Sequence, residues 1–214
     1  MSLFRSIALT TLLLGPVQAS DEDDYQPSLL SSTHQVVDAA GLERLEDQNL
    51  PAQESELRVW IGFGVGIPDH MLRLHANGDK DIRGEILAYF PSALAYMGDD
   101  AEHFRGEISQ KCNNFRVGDD SEVCTASFDD EPGWDQIYHK LVDLGIRTLP
   151  DESELPDPKV RVHDGVAMVV ELRTGSRYRA YQYANPGFRD QPEAQAAARI
   201  MRVIFTFLRE AGVT

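Results

Sequence analysis

The chain has 214 residues, 42% of them hydrophobic, and a formal net charge of −15 at neutral pH. That length suits one domain with a sizeable core. The charge excludes nucleic acid and anionic membranes as favoured partners, because the phosphate term that dominates such binding turns repulsive, and it favours a basic exported protein instead.

The first residues read as a secretory signal peptide, 1–19. Arg5 supplies the positive start, Ser6 to Gly15 the apolar run, and small residues follow up to a cleavage point after Ala19. The run is far shorter than the roughly 20 residues a spanning helix needs, and no cysteine follows it to accept a lipid. The expected product is periplasmic or secreted, with no membrane insertion after cleavage.

Residues 20–55 are rich in Asp, Glu, Gln, Ser and Pro and open with Asp21-Glu22-Asp23-Asp24. Such a composition buries little apolar surface, so the segment is expected as an acidic flexible leader in which Val36 to Leu45 can form one short helix. A single α+β domain is expected over 56–214. Leu57, Val59, Ile61 and Phe63 alternate with Arg58, Trp60 and Gly62, the period of a strand. Pro68 interrupts the chain, Met71 and Leu74 lead to a tight turn at Asn77-Gly78, and Ile82 to Phe90 forms a further strand-like run. Together they predict an antiparallel meander. Phe104 to Ile108 and Val123 to Phe128 are candidate short strands.

Trp134, Ile137, Tyr138, Leu141, Val142 and Leu144 recur at helical spacing, with Gly145 placed to close the helix. Pro150 to Pro158 is acid- and proline-rich and reads as a loop. A second hairpin runs through Val166 to Arg173 and Ser176 to Tyr183, turning at Thr174-Gly175. Asp190, Pro192 and Glu193 form a start signal with a capping box, and Ile200, Val203, Ile204, Phe207 and Leu208 make the stripe of a last helix over Pro192 to Ala211. The predicted fold is therefore α+β: an antiparallel sheet of meander plus C-terminal hairpin, covered on one face by two amphipathic helices.

Cys112 and Cys124 are the only cysteines, and in an exported chain they are expected to form a disulfide. A loop this short would contribute roughly 3 kcal/mol in the chain-entropy picture. The rival, a metal site, needs further ligands that no nearby spacing supplies. His70 and His75 beside Asp69 do not converge on a strand, because positions five apart face opposite ways. The acidic clusters at Asp99-Asp100, Asp119 to Glu122 and Asp129 to Glu131 lack the calcium-loop pattern. Gly62, Gly64 and Gly66 have the wrong spacing for a dinucleotide fingerprint, so no metal or cofactor is read from the chain.

There is no nucleophile elbow, Ser-x-x-Lys or His-Glu-x-x-His motif. Triads are assembled in space, so the sequence does not decide whether the chain is an enzyme. The candidate binding surface is the second hairpin. A turn at Thr174-Gly175 would set Glu171 opposite Tyr178, Val170 opposite Arg179 and Met168 opposite Tyr181, with Tyr183 beyond. Tyr and Arg are favoured at recognition surfaces, although tyrosines also rim cores. Two functions follow. One is a non-catalytic protein binder of the cell envelope, of inhibitor, immunity or accessory type. The other is a periplasmic hydrolase or small-ligand binder with a pocket near Glu171 and Trp134, where Glu171 is acid or base and Tyr178 or Arg179 touches substrate.

Overall fold

Along Glu54–Gly62 (β1) both sets of alternating side chains are buried: Leu57, Val59 and Ile61 on one side, Glu56, Arg58 and Trp60 on the other. A strand hidden on both sides belongs in the middle of a sheet covered on both faces. The computed structural model describes residues 27–63, 68–78, 81–91, 114–117, 121–126, 133–158, 162 and 165–212. Within them β1 is joined by β2 (Pro68–Asn77), β3 (Asp81–Pro91), β4 (Asn114–Val117), β5 (Ser121–Ala126), β6 (Ala167–Thr174) and β7 (Arg177–Ala184). The seven strands form one sheet in the order β4-β5-β3-β2-β1-β6-β7, and every neighbouring pair is antiparallel. The predicted meander is β1 to β3 and the predicted hairpin is β6 with β7, which docks beside β1.

Two helices cover the first face, α2 (Trp134–Asp143) and α3 (Pro192–Glu210). Leu57, Val59, Leu72, Leu74, Val170, Tyr181 and Tyr183 meet Trp134, Leu141, Ile200 and Ile204 there in one core cluster. Gly84 lets α2 sit this close, since a Cβ at that position would stand 2.4 Å from Trp134 Cε3. Gly145 closes the turn after α2 with φ +86°, as its place in the sequence suggests.

The opposite face is covered as well, which departs from the one-face expectation. The third helix, α1 (Leu30–Ala40), sets Leu30, Val36 and Val37 against Trp60, Met71, Leu87 and Val169. Gly41 caps it in the left-handed conformation, where the Leu42 N–H donates to the Val37 carbonyl. The supposed leader therefore belongs to the fold from Pro27 onward, and Leu45 beyond the helix is fully buried. Composition misled because a few apolar residues at helical spacing suffice to bury one stripe, however polar the remainder of the segment.

The hairpin turns at Gly175-Ser176, with Gly175 at φ +56°, so Val170 opposes Tyr181, Met168 opposes Tyr183 and Arg173 opposes Tyr178. Moving the turn by one residue shifts the pairing by two, which leaves each side chain on its expected face. Pro150 to Pro158 contains a short 3₁₀ turn, Glu152–Glu154, capped by Asp151 in a capping box. α3 starts after Gln191 with no side-chain cap, rather than with Asp190 capping it. The candidate strand at Phe104 to Ile108, the acidic stretches at Asp99-Asp100, Asp119-Asp120 and Asp129 to Glu131, and Cys112 lie outside the described residues. Cys124 is buried on β5, and no described cysteine is free. No described helix is long and apolar enough to cross a membrane.

Gly84→Ala should destabilise the fold by roughly 1–3 kcal/mol, because the added methyl must displace the Trp134 ring within a packed core. The shift of the urea-unfolding midpoint measures this, and an unchanged midpoint would show that α2 is free to move off the sheet.

Candidate functional site

On the α1 face the strand register lines up a row of charge across the sheet: Glu85 on β3, Arg73 on β2, Arg58 on β1 and Glu171 on β6. Arg58 and Arg73 are direct neighbours, an arrangement that repels unless an anion stands between them. Glu56 is that anion. Its Oε1 accepts from Arg58 Nε and from Arg73 Nε, both at 2.7 Å, and its Oε2 accepts from Arg73 Nη2 at 2.9 Å. Arg73 Nη1 donates to Glu85 at 2.6 Å. Burial alone would raise the Glu56 pKa, but the Arg73 hydrogen bonds and the charges of Arg58 and Arg73 outweigh it and hold the carboxyl below its ordinary value.

Glu171 is 1% exposed and accepts from Trp60 Nε1 at 2.6 Å and from the Tyr178 hydroxyl at 3.0 Å. Here burial wins. It raises the Glu171 pKa against the opposing charge of Arg58 and the two hydrogen bonds. Burial and the neighbouring Glu171 carboxyl likewise push the Tyr178 hydroxyl far up. Arg58 is fully buried, and its Nη1 and Nη2 have no hydrogen-bond partner. His34 on α1 lies 3.6 Å from Glu46, whose backbone carbonyl accepts from Arg173 Nη1 at 2.8 Å. A raised-pKa carboxyl beside a tyrosine has the chemistry of a general acid. Neither Glu171 nor Tyr178 lines the cavities at the Arg83 edge, at Phe188 or at Pro156.

The candidate surface residues are thus divided between two layers. Glu171 and Tyr178 face α1, whereas Arg179, Tyr181 and Tyr183 face α2 and α3. Tyr181 is 1% exposed and donates to the Ile146 carbonyl at 2.6 Å, while Tyr183 is packed edge-on against it. Arg179 lies over the Tyr181 ring and donates to the carbonyls of Arg147 and Leu149. Tyr181 and Tyr183 are buried under the helices, whereas Arg179 stays half-buried at the rim of that layer. A pocket shared by Glu171 and Trp134 is absent, since the sheet lies between them.

In the cleft of about 370 Å³ beside Arg73, His75, Arg83 and Glu85, the arginines already have carboxylate partners, Arg73 with Glu56 and Glu85 and Arg83 with Asp81, and His75 Nε2 lies 3.2 Å from Glu54. His70 and His75 fall on opposite faces of β2, as their spacing implies. Among the described residues no group of three or more His, Cys, Asp or Glu could hold a metal ion.

A different place is open. The large apolar residues exposed among the described residues are Val166, at 44%, and Phe188, at 61%, and both line one groove of about 550 Å³. Met201, Phe205 and Arg202 of α3 form its other wall. The chain matches no protein-family model, curated protein or solved structure. Its groove must therefore be read from its own geometry.

That geometry is fixed by one residue. Asn185 adopts φ +50°, its N–H donates to the Val166 carbonyl at 2.9 Å, and its Oδ1 accepts from the Val166 N–H at 3.2 Å. The turn Pro186–Phe188 follows at once and carries Phe188 to the lip. Asn-Pro-Gly reads as an ordinary turn in sequence, so Phe188, Val166 and the outer side of α3 went unnoticed as a unit.

Glu171 and Glu56 affect stability with opposite signs. Because its folded pKa is raised, the Glu171 contribution is complete below the ordinary value of 4.5 and is lost as pH rises through the folded value. The lowered pKa of Glu56 makes its contribution present above 4.5 and lost as pH falls through the folded value. Glu171→Gln should therefore flatten the decline in stability on the alkaline side of 4.5 and leave the acid limb in place. Urea denaturation between about pH 3 and about pH 8 reads both limbs. An alkaline limb of unchanged slope would show that another group titrates there.

Proposed function

We propose that this is an exported, non-catalytic binding protein that docks part of a protein partner in the groove between Phe188 and the outer side of α3. The mature chain begins at Ser20 on this reading, and Cys112 pairs with Cys124. The observation that carries it is the convergence of Val166 and Phe188, exposed apolar residues from separate segments, on one groove. Exposed apolar side chains scattered singly need no explanation, but a contiguous patch with a formed wall is characteristic of an interaction site. The two hydrogen bonds between Asn185 and Val166 hold that wall before any partner arrives, which lowers the ordering cost of binding.

The hydrolase reading is weaker. Its acid is enclosed by Trp60, Tyr178 and α1, and its second landmark, Trp134, is on the other side of the sheet. The net charge still favours a basic partner surface at long range, as an encounter term rather than a docking contact.

A photo-crosslinking amino acid in place of Phe188 should trap one stoichiometric partner in the cell of origin, and the same probe in place of exposed Lys140 on α2 should trap none. Phe188→Ser should cost less than about 0.5 kcal/mol of stability, being a surface change. It should weaken partner binding at least roughly tenfold. Equal trapping at both positions, or unchanged affinity in the Phe188 variant, would overturn the assignment.

A further inference from the structure

The chemistry of the groove also specifies what enters it. α3 carries two apolar sides. Ala197, Ile200, Ile204 and Leu208 are buried in the core, Ala198 and the partly buried Phe205 line the groove, and Met201 does both, lining the groove from a buried position in that core. Arg202 and Arg209 stand on that outer side, both exposed. The lining contains these two cations and no carboxylate, in a chain whose net charge is −15. Neither arginine has a carboxylate partner among the described residues, so both guanidiniums stay open to an anion brought by a partner. What marks this place is the combination of two exposed guanidiniums with an apolar trough that has no carboxylate in its lining.

Resting on the binding reading above, we infer that the groove takes a linear peptide segment of the partner in which apolar side chains are flanked by carboxylates. The apolar anchors contact Phe188, Val166 and Phe205, and the carboxylates reach Arg202 and Arg209. Seven helical residues separate the two arginines, roughly 10 Å along the axis. An extended peptide covers roughly that distance in three residues, so the matching pattern places acids three to four residues apart around the apolar pair. Arginine suits this task because its planar fork can hold a carboxylate through two hydrogen bonds. A groove of about 550 Å³ seats a few side chains rather than a whole amphipathic helix. The partner can still be basic elsewhere, since long-range attraction to the acidic body and local contacts in the groove are separate terms.

The test uses the full mature chain and a short fluorescent peptide of the pattern Glu-Phe-x-Leu-Glu, compared with the same peptide carrying Lys for Glu, by fluorescence anisotropy. The acidic peptide should bind at least roughly tenfold tighter than the basic one. Arg202→Glu with Arg209→Glu should reverse that preference, and the reversal itself shows that the variant is folded. Phe188→Ser should weaken both peptides. Equal binding of the two peptides, still sensitive to Phe188→Ser, would overturn the acidic assignment and leave the groove as a docking site. Binding of neither peptide at millimolar concentration would overturn it too, and the crosslink at position 188 then decides whether the groove reading survives. Displacement of the acidic peptide by laurate at lower concentration than by unlabelled peptide would overturn it in favour of a free fatty acid.

Discussion

The Glu56 carboxylate is the contact on which the second face of this protein depends. It is 1% exposed on the central strand and receives three hydrogen bonds from the guanidiniums of Arg58 and Arg73. Breaking a buried ion pair by removing one partner costs about 3–5 kcal/mol, since the remaining charge has neither water nor a counter-ion. Arg73 and Glu85 keep partial exposure, but one anion serves two cations in neighbouring register positions, so Arg58 can be buried beside Arg73 only while Glu56 is ionised. The low pKa imposed on it by the arginines keeps it so at ordinary pH.

A sheet face with that row down one half needs a cover that is apolar in one part and polar in another. The segment from Pro27 to Gln48 provides it. Leu30, Val36 and Val37 cover the apolar half around Trp60 and Met71, while His34 and Glu46 reach the side of Glu171 and Arg173. Gln182 of β7 anchors the start of the segment, accepting from the Leu29 N–H at 2.9 Å. Closure of this face encloses Glu171 between Trp60, Tyr178 and the α1 layer.

The same carboxylate economy protects the sheet edge. β7 is an edge strand whose outward N–H groups would invite pairing with another chain. The Gln182 N–H donates to Asp151 at 2.9 Å and the Ala184 N–H to Glu152 at 2.8 Å, so the acidic loop caps the edge. Just beyond that cap the strand ends at Asn185, and the chain turns outward to present Phe188. Among the described residues, the groove under Phe188 is where the large exposed apolar side chains lie.

Much of the fold was legible because local periodicity reports it directly. The alternation in β1, the Asn77-Gly78 turn and the stripes of α2 and α3 each depend on residues close in sequence, and all appear in the structure. The α1 segment was legible only in part: a short helix was expected over Val36 to Leu45, whereas it runs Leu30–Ala40, with Leu30, Thr33, Val37 and Ala40 as its stripe and Gly41 at its end. The sites were less legible. Glu56, Arg58 and Arg73 occupy the polar positions of alternating strands, which read as solvent-facing until a helix from a distant segment is seen to cover them. Tyr181 and Tyr183 could be assigned to a face but not to the depth of a core. From sequence alone come the strands of the meander and of the second hairpin, the helices over the first face and the side of the sheet on which their residues stand, since backbone periodicity sets all three; the short strand Asn114–Val117 does not. Only the tertiary structure decided which charges are buried, which tyrosines are sealed and that Val166, Phe188 and α3 meet, because burial depends on what packs against a surface, and the chain segments that do so are far apart in sequence.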